Sequence, residues 1–303
     1  MVDIVGALAM VACLVLGSGP AAAQSQAASR GSKTFTIQTP DSVMISAQEW
    51  GNPNGPEILF IHGFSQSHLS WLRQVRSELA KSFRMITYDI RGHGGSDKPL
   101  TPEYYQDPKR WGDEVNAVMK GAQLKHPVLV GWSYGGRIIA EYLMHYGDGN
   151  IAGINFVAAF TTVASEFLGP ATPAVRKMAS EDLAENIENT LSFLRSSTVR
   201  TLPPDEFEIM LAYNMVVPSK VRLHMLARPA PYEESLKKIK VPVLVTHGME
   251  DQVALIPMAR YTATVVPNAQ SSLYEGVGHM PFWEDTARFN RELGEFVTRA
   301  NKR

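Results

Sequence analysis

The fold of this chain is decided by the stretch Val128-Leu129-Val130-Gly131-Trp132-Ser133-Tyr134-Gly135-Gly136. Its first three residues are apolar and predict a short buried strand, and the residues from Tyr134 to Tyr146 predict a helix. The Gly-x-Ser-x-Gly pattern between them fits a tight strand-to-helix turn, which accepts only small residues two positions before and after the serine. The pattern alone is a weak signal, but its place between a strand and a helix makes Ser133 a candidate nucleophile.

Around this stretch, short apolar runs alternate with amphipathic segments of helical length. The apolar runs predict strands at residues 58–61, 85–88, 128–130, 154–157, 243–246 and 272–274. The amphipathic segments predict helices at residues 69–82, 109–124, 134–146, 257–263 and 283–300. This alternation is typical of a parallel sheet that right-handed crossovers cover with helices on both faces.

Two further strands are predicted before the alternation begins. The segments 34–38 and 43–49 are strand-like, and the turn residues Thr39-Pro40-Asp41-Ser42 separate them, which predicts an antiparallel hairpin. With this hairpin, the expected fold of residues 34–303 is one α/β domain with a mostly parallel sheet of eight strands.

In one interval the alternation of strands and helices is absent. Between Phe160 and Lys240 there is no convincing strand, and helical patterns occur instead at residues 181–194, 204–215 and 218–226. Ligands bind at the carboxyl ends of parallel strands, so a helical insertion at about residues 161–232 is expected to form a lid over the site. The alternative is a structural side-domain that does not contact substrate.

A serine hydroxyl needs a base, a group that orients the base and donors for the oxyanion before it can act as a nucleophile at neutral pH. His279 is the candidate base, because it lies on the loop between the last predicted strand and the last predicted helix. Asp251 lies just beyond the strand at 243–246 and can accept a hydrogen bond from the imidazole. Its neighbour Glu250 is the alternative acid.

The donors for the oxyanion are expected to be two backbone amides. Tyr134 follows the candidate nucleophile at the start of its helix, where the helix dipole also favours negative charge. The second donor is expected on the loop His62-Gly63-Phe64, which follows the strand at 58–61, with Phe64 as the donor. His62 and Gly63 are expected to set the shape of that loop.

Five motifs occur in an order that resembles the α/β-hydrolase fold-1 family. They are His62-Gly63-Phe64, Asp89 to Ser96, Gly131 to Gly136, Gly248 to Asp251 and Gly278-His279. The resemblance covers nearly all of the mature chain outside the insertion, and it implies an eight-stranded α/β-hydrolase sheet with the chain order Ser, acid, His. It favours Asp251 over Glu250, because the acid of this family usually stands three residues after the glycine at position 248.

Among the branches of the family, the chain is most similar to small esterases and to the cofactor-free haloperoxidases and perhydrolases, with some likeness to C–C bond hydrolases. The resemblance implies a serine hydrolase that cleaves a small or apolar carboxylic ester through a Ser-His-Asp triad and an acyl-enzyme. The alternatives are C–C bond cleavage, peracid formation and, from another class, a binding protein that keeps the fold without catalysis.

Two residues depart from the patterns of related branches. Tyr134 stands where many haloperoxidase-like members carry Met or Thr, which disfavours the perhydrolase alternative. Ser133 stands where haloalkane dehalogenases and epoxide hydrolases carry Asp, which argues against both of those activities.

Other residues near these motifs receive less specific predictions. The residues expected to line the acyl pocket are Trp132, Phe160, Phe167 and Met280. The residues expected to brace the site through hydrogen bonds are Asp89, Arg91, His93 and Ser96. The remaining histidines show no spacing typical of a metal site, so neither a metal nor another cofactor is expected.

The composition is that of an ordinary globular protein. Of 303 residues, 45% are hydrophobic and 19% are charged, which excludes a disordered chain, a collagen and a coiled coil. The net charge of -1 argues against a nucleic-acid partner, because such a protein needs a basic face for the phosphates. The expected partner is a small-molecule ester substrate, and the sequence leaves the oligomeric state open.

The first 23 residues are typical of a secretory signal peptide. From Ile4 to Leu16 only apolar residues and glycine occur, and this run is shorter than the roughly 20 residues that span a bilayer. A helix-breaking segment and Ala21-Ala22-Ala23 follow, which fits cleavage after Ala23. No Lys or Arg precedes the apolar run, so an uncleaved membrane anchor, a frayed terminus and a lipid anchor on Cys13 are the alternatives.

A flexible linker is predicted at residues 24–33, because its Ala, Ser, Gln and Gly residues cannot bury enough apolar surface to become ordered. Cleavage after residue 23 would also remove the one cysteine of the chain. The mature protein would then contain no thiol, which suits an oxidising compartment. We therefore predict a periplasmic or secreted protein without stable membrane insertion after cleavage.

Overall fold

The computed structural model describes residues 32–302. The predicted signal peptide at residues 1–23, with Cys13, lies outside the described residues, and so do residues 24–31 of the predicted linker. The last two residues of that linker are described, and Lys33 already belongs to the first strand.

Eight strands form one sheet within residues 32–302. They are β1 (Lys33–Gln38), β2 (Met44–Gly51), β3 (Glu57–Ile61), β4 (Arg84–Tyr88), β5 (Val128–Trp132), β6 (Gly153–Val157), β7 (Val243–Gly248) and β8 (Gln270–Tyr274). Their order in the sheet is β1-β2-β4-β3-β5-β6-β7-β8. All neighbours are parallel except β1 with β2 and β2 with β4. The predicted fold class and the predicted opening hairpin are confirmed.

The central strands are buried on both faces of the sheet. Every residue of β5, β6 and β7 is buried, whereas β8 lies at the edge and only its last residue is buried. Burial on both faces explains why the central strands are continuous apolar runs without alternation. The carboxyl ends of β3, β5 and β7 meet at one edge of the sheet, so the polar residues that follow these strands come together there.

Thirteen α-helices occur in the described part of the chain. They are α1 (Leu72–Val75), α2 (Leu79–Ser82), α3 (Glu103–Gln106), α4 (Pro108–Gly121), α5 (Tyr134–Tyr146), α6 (Thr172–Lys177), α7 (Leu183–Ser196), α8 (Pro204–Met215), α9 (Ser219–Leu226), α10 (Glu233–Leu236), α11 (Ile256–Val265), α12 (Pro281–Glu284) and α13 (Thr286–Ala300). Two short 3-10 turns occupy His68–Trp71 and Ser165–Phe167.

Two segments that were predicted as single helices are interrupted. The segment 69–82 divides into a 3-10 turn, α1 and α2, because the hydroxyl of Ser77 competes for backbone groups. The Oγ atom of Ser77 donates to Gln74 O at 2.7 Å and accepts from the amide of Leu79 at 3.2 Å. The segment 283–300 breaks at Asp285, whose side chain accepts from a backbone amide in the first turn of α13 and caps that helix.

The interval between β6 and β7 contains five helices, α6 to α10, where three were predicted. Arg222 of α9 is fully buried inside this insertion and connects its helices through hydrogen bonds. It donates to Met178 O and Asn186 Oδ1, both at 2.7 Å, and to Asn214 O. These acceptors belong to α7 and α8 and to the end of α6, so the insertion is one packed unit. Its role as a lid stays a prediction.

No helix in residues 32–302 combines the length and the apolar character that crossing a membrane requires.

Candidate active site

Ser133 occupies a strained turn between β5 and α5. Its φ of 55° and ψ of -116° are rare for a residue other than glycine, at a cost of roughly 1–3 kcal/mol. Two backbone hydrogen bonds of 3.0 Å hold the turn, from Ser133 N to Val157 O and from Phe160 N to Ser133 O. A Cβ atom on Gly135 would lie 2.5 Å from the carbonyl oxygen of Ile61, so a larger residue does not fit there. The turn therefore has the form that the Gly-x-Ser-x-Gly pattern predicts.

His279 lies within hydrogen-bond distance of both other members of the predicted triad. Its Nε2 is 2.9 Å from Ser133 Oγ, and its Nδ1 is 2.7 Å from Asp251 Oδ2. The backbone of His279 is held on both sides, because its amide donates to Ser197 O at 3.0 Å and its carbonyl accepts from Trp132 Nε1 at 2.8 Å. The imidazole is fully buried. The structure thus brings the predicted serine, histidine and aspartate side chains together.

Asp251 is positioned by the turn that follows β7. Its Oδ1 accepts from the amides of Val253 at 2.8 Å and Ala254 at 3.0 Å, which leaves Oδ2 to face the imidazole. Burial alone would raise the pKa of Asp251, but the neighbouring His279 and His247 hold it well below its usual range. The carboxylate therefore stays ionised and can stabilise a protonated imidazole.

Glu250, the alternative acid, points elsewhere. Its carboxylate accepts from the amide of Val277 at 3.0 Å, and the residue is exposed. Glu250 thus holds the loop that leads to His279, while Asp251 makes the contact with the imidazole.

The two amides predicted as oxyanion donors are those of Phe64 and Tyr134. Within residues 32–302, neither amide donates to another group of the protein. A Cβ atom on Gly63 would lie 3.0 Å from Ser133 Cβ, which shows how closely this loop approaches the nucleophile. Both amides are therefore available to an oxygen bound beside Ser133.

His62 fixes the shape of the loop that carries Phe64. Its Nε2 accepts from the amide of Ile90 at 3.1 Å, and its Nδ1 lies 2.8 Å from the carbonyl oxygen of Gly63. Burial lowers the pKa of His62 to about 4, although Asp89 acts in the opposite direction. A neutral ring can donate through Nδ1 and accept through Nε2, so His62 shapes the loop as the sequence predicts.

The loop after β4 braces this region through hydrogen bonds. Asp89 accepts from the amides of His68 at 2.8 Å and Gly95 at 2.9 Å. His93 Nε2 accepts from the amide of Ser65, a residue with a φ of 60° on the loop beyond Phe64. Asp89 and His93 thus brace the loop beyond Phe64 as predicted, whereas Arg91 binds Glu114 of α4 and Asp41 of the hairpin turn.

A cavity of about 200 Å³ opens beside Ser133. Its apolar wall comes partly from the sheet edge and partly from the helical insertion. That wall includes Phe64, Phe160, Val175, Phe193, Leu226 and Val253. Phe160 thus lines the cavity, as the sequence analysis expects.

The other three residues predicted to line the pocket lie elsewhere in the described part of the chain. Trp132 and Met280 are direct sequence neighbours of the nucleophile and the base, and successive side chains of an extended segment point to opposite sides. Trp132 therefore packs against Phe282, with ring centroids 4.9 Å apart, and Met280 lines a separate cavity of about 520 Å³. Phe167 packs on Tyr261 with ring centroids 5.2 Å apart.

Three arginines that the sequence analysis did not single out line the cavity beside Ser133. They are Arg137, Arg176 and Arg228. Arg137 follows Ser133 by about one helical turn, and this spacing could have indicated it. No local pattern could have indicated Arg228, because it follows Arg137 by 91 residues in the chain.

The arrangement suits covalent catalysis at a carbonyl group. A hydroxyl, an imidazole and a carboxylate in this order can move a proton from the serine to the histidine as the serine attacks. In the part of the chain that the structure describes, no three His, Cys, Asp or Glu side chains are grouped to hold a metal ion.

The chain is similar to proteins described as esterases and as a haloperoxidase. The solved structure of a proposed aryl esterase from Burkholderia cenocepacia is 34% identical, with a TM-score of 0.87 over 89% of this chain and 100% of that chain. An esterase from Rhodococcus sp. ECU1013 is 32% identical, with a TM-score of 0.81 over 88% of this chain and 98% of that chain. A non-heme chloroperoxidase from Kitasatospora aureofaciens is 28% identical over 86% of this chain and 98% of its own sequence. These relatives support hydrolase activity.

The sequence profile of the family described as alpha/beta hydrolase fold matches residues 56–286. This span begins just before β3 and includes Ser133, Asp251 and His279. The chain therefore belongs to the α/β hydrolase fold family.

Proposed function

We propose that this protein hydrolyses a small carboxylic ester through an acyl-enzyme on Ser133. His279 accepts the hydroxyl proton as Oγ attacks the ester carbonyl, and it returns that proton to the leaving alcohol. Water then attacks the acyl-enzyme with His279 again as the base, which releases the carboxylic acid and restores the serine. Asp251 orients the imidazole and stabilises its charged form.

The observation that carries this proposal is the chain of two hydrogen bonds through His279. Its distances of 2.7 Å to Asp251 Oδ2 and 2.9 Å to Ser133 Oγ lie within the reach that a general base needs. The amides of Phe64 and Tyr134 supply the two donors for the oxyanion. In other enzymes, loss of one such donor lowers turnover by about 100- to 1,000-fold.

In this proposal the helical insertion acts as a lid that selects the substrate. Val175, Phe193 and Leu226 all belong to the insertion and line the cavity that contains Ser133. The cavity of about 200 Å³ is smaller than the roughly 300–1,000 Å³ typical of sites for drug-sized ligands, which favours a small ester. Phe193→Ala should shift the preference toward longer acyl chains, which a series of p-nitrophenyl esters would measure.

The reaction class is tested by labelling the purified protein with a fluorophosphonate and by measuring turnover of p-nitrophenyl acetate and butyrate. The native protein should be labelled on Ser133, and Ser133→Ala should lose both labelling and turnover. Ser271→Ala is the matched control, because Ser271 is an exposed serine on β8. Full turnover in Ser133→Ala would contradict the proposal, and an unlabelled native protein would favour a non-catalytic binding protein.

The role of the acid is tested by two neighbouring substitutions that remove the same charge. Asp251→Asn should lower kcat by about 10,000-fold, because the imidazole then takes the wrong tautomer. Glu250→Gln should have a much smaller effect, since Glu250 binds the amide of Val277 instead of the imidazole. The reverse order of the two effects would assign the acid role to Glu250.

The second candidate activity is peracid formation, because the sequence resembles the branch of cofactor-free haloperoxidases and perhydrolases and a non-heme chloroperoxidase is among its relatives. Here hydrogen peroxide would attack the acyl-enzyme in place of water, and a peracid would leave in place of the acid. A peracid assay beside the ester assay separates the two, because the same triad serves both. C–C bond cleavage is the remaining alternative, and activity on a C–C hydrolase substrate without ester turnover would favour it.

We also propose that the protein is exported to the periplasm or secreted, on the basis of the apolar run at residues 4–16 and the alanines before residue 24. Expression of the whole chain in a Gram-negative host followed by cell fractionation and N-terminal sequencing tests this. The expected N-terminus is Gln24 in the periplasmic or extracellular fraction. A full-length protein in the cytoplasm would contradict export, and one in the membrane fraction would indicate an uncleaved anchor.

A further inference from the structure

Three arginines line the cavity beside Ser133, and no carboxylate lines it within the part of the chain that the structure describes. Arg137 and Arg228 are 5% and 3% exposed, whereas Arg176 lies at the exposed rim. The rest of the lining is mostly apolar. The two buried guanidinium groups therefore depend on neighbouring protein atoms for the stabilisation that water would otherwise give.

Arg228 has fewer partners than its guanidinium group can bind. Its Nε lies 2.6 Å from Glu141 Oε1, and its Nη1 donates to Tyr105 O at 3.3 Å. Its Cζ lies 4.3 Å from the ring centroid of Trp111 and 4.9 Å from that of Tyr134. Its Nε and Nη2 are both buried, and neither forms a hydrogen bond of suitable geometry with residues 32–302, although Nε lies close to Glu141 Oε1. A guanidinium has five N–H donors in a planar fork, so Arg228 keeps donors for a further acceptor.

Arg137 adds a second buried positive charge without a second carboxylate. Its Nε donates to Tyr232 Oη at 3.1 Å, and its Nη2 donates to Arg228 O at 2.8 Å and Pro229 O at 3.1 Å. These acceptors are all neutral. Of these two arginines, only Arg228 forms an ion pair, with Glu141, so among the described residues two buried positive charges meet one negative charge. A buried charge without a counter-charge is costly, which favours an anion at this place.

A second polar atom of the same cavity also lacks a partner. Thr172 Oγ1 is buried and forms no hydrogen bond with any other described residue, and Thr172 lines the cavity together with Arg228. A hydroxyl and a guanidinium are both donors that suit an anionic oxygen, and Arg binds carboxylates through two parallel hydrogen bonds.

We propose that the substrate is an ester that also carries a free carboxylate, and that Arg228 binds this carboxylate. Half-esters of short dicarboxylic acids have this chemistry: the ester carbonyl reaches Ser133 while the carboxylate supplies the missing negative charge. The volume of about 200 Å³ restricts the acid to a short chain. The inference rests on the ester hydrolysis proposed above and specifies its substrate class. Hydrolysis converts the half-ester and water into the dicarboxylate and an alcohol.

The test compares kcat/KM for monomethyl glutarate with that for methyl 4-carbamoylbutanoate, in which a neutral amide replaces the carboxylate. The native enzyme is expected to prefer the half-ester by about tenfold or more, as a charge-assisted hydrogen bond would give. Arg228→Gln should reduce this ratio by about the same factor, mainly through KM. Arg260→Gln, which removes the same charge from an exposed position on α11, should leave the ratio unchanged.

Arg228→Gln removes the ion-pair partner of the buried Glu141 and should therefore be less stable than the native protein, so a second variant with better-balanced charge checks the result. The double variant Arg228→Gln/Glu141→Gln removes both charges and keeps a hydrogen-bond acceptor for Tyr232. It should fold and show the same reduced ratio. An unchanged ratio in the folded double variant, or equal rates of the native enzyme on the two esters, would overturn the proposal.

A binding measurement separates this inference from the proposed ester hydrolysis. Calorimetry with Ser133→Ala should show that glutarate binds about tenfold or more tightly than glutaramide, its neutral analogue. If glutarate binds in this way but no ester is hydrolysed, the anion site stands and the proposed function fails. If esters are hydrolysed but glutarate does not bind, the proposed function stands and this inference fails.

Discussion

Two clusters of charged side chains each place one buried arginine against the same tryptophan, and they differ in how their charge is balanced. The Arg91 cluster consists of Arg91, Arg110, Asp41 and Glu114, and the Arg228 cluster consists of Arg137, Arg228 and Glu141. The Cζ atoms of Arg91 and Arg228 lie 5.6 Å and 4.3 Å from the ring centroid of Trp111. The two clusters are therefore neighbours in the same packed environment.

The Arg91 cluster holds two positive and two negative charges. Arg91 Nε lies 2.7 Å from Glu114 Oε2, and Arg91 Nη1 lies 2.8 Å from Asp41 Oδ2. Arg110 pairs with the same oxygen of Asp41 at 2.7 Å. These contacts join the loop after β4, helix α4 and the turn of the opening hairpin, so the cluster stabilises the scaffold.

The Arg228 cluster holds two positive charges and one negative charge, and it lies against the cavity that contains Ser133. We infer that protein side chains alone balance the charge of the Arg91 cluster. The charge of the Arg228 cluster is balanced only when an anionic ligand binds.

The largest effect is expected from Arg91→Met, which leaves two carboxylates without their shared cation. The free energy of unfolding should fall by about 3–5 kcal/mol, as for other broken buried ion pairs. Urea denaturation followed by circular dichroism measures this change. Arg110→Met is the control: its side chain is 30% exposed and a loss of about 0–1 kcal/mol is expected. A loss below about 1 kcal/mol for Arg91→Met would show that the balanced cluster is not a scaffold element.

A smaller loss is expected from Arg228→Met. Glu141 then keeps the hydroxyl of Tyr232 at 2.7 Å and the nearby charge of Arg137, so one charge of each sign remains. The free energy of unfolding should fall by about 1–2 kcal/mol in the same urea experiment. A loss as large as that of Arg91→Met would assign Arg228 to the scaffold and remove the contrast between the clusters.

The clusters should also differ in how they respond to acid. Burial alone would raise the pKa of Asp41, but Arg91 and Arg110 hold it well below its usual range. Such a carboxyl gives stability that is present above its unfolded pKa of about 3.9 and is lost as the pH falls through the lower folded pKa. When the pH drops below about 4, the free energy of unfolding of Asp41→Asn should therefore fall less than that of the native protein. The difference should be only about 1 kcal/mol, because solvent screens part of the interaction.

Glu141 of the Arg228 cluster is the matched control for this pH dependence. Burial raises the pKa of Glu141, so the folded protein takes up this proton more readily than the unfolded chain as the pH falls. Glu141→Gln should consequently not reduce the loss of folding stability at low pH. Urea denaturation at a series of pH values measures both variants, and an equal reduction by both would contradict the contrast.

The smallest effect is the stabilisation of the native protein by glutarate. At a glutarate concentration equal to its Kd, binding should add about 0.4 kcal/mol, which raises Tm by about 1 °C for a domain of this size. Differential scanning calorimetry measures the shift. Arg228→Gln should lose the shift, while Arg260→Gln should keep it, and an equal shift in both would place the anion elsewhere.

Local patterns were sufficient to predict the strands and the position of Ser133, while the resemblance to the family selected Asp251 over Glu250. Continuous apolar runs mark strands that are buried on both faces, and the Gly-x-Ser-x-Gly turn requires small residues that leave a clear signature. Asp251 and His279 follow β7 and β8, so the parallel sheet alone brings them to the edge where Ser133 lies.

The remaining features depend on contacts between distant segments or on single side chains. The break after α1 depends on one hydroxyl, that of Ser77, which the amphipathic pattern of 69–82 conceals. The charge of the cavity arises because Arg137 on α5, Arg176 on α6 and Arg228 after α9 meet at one place. No sequence period connects these three positions, so only the folded chain reveals the excess of positive charge.

The central claim is that Ser133 forms the acyl-enzyme. The most direct measurement mixes the protein with p-nitrophenyl acetate, quenches with acid within the first turnover and locates the acetyl group by peptide mass spectrometry. We predict a burst of p-nitrophenolate and an acetyl group on Ser133. An acetyl group on another residue, or steady hydrolysis without any acetylated peptide, would contradict the account.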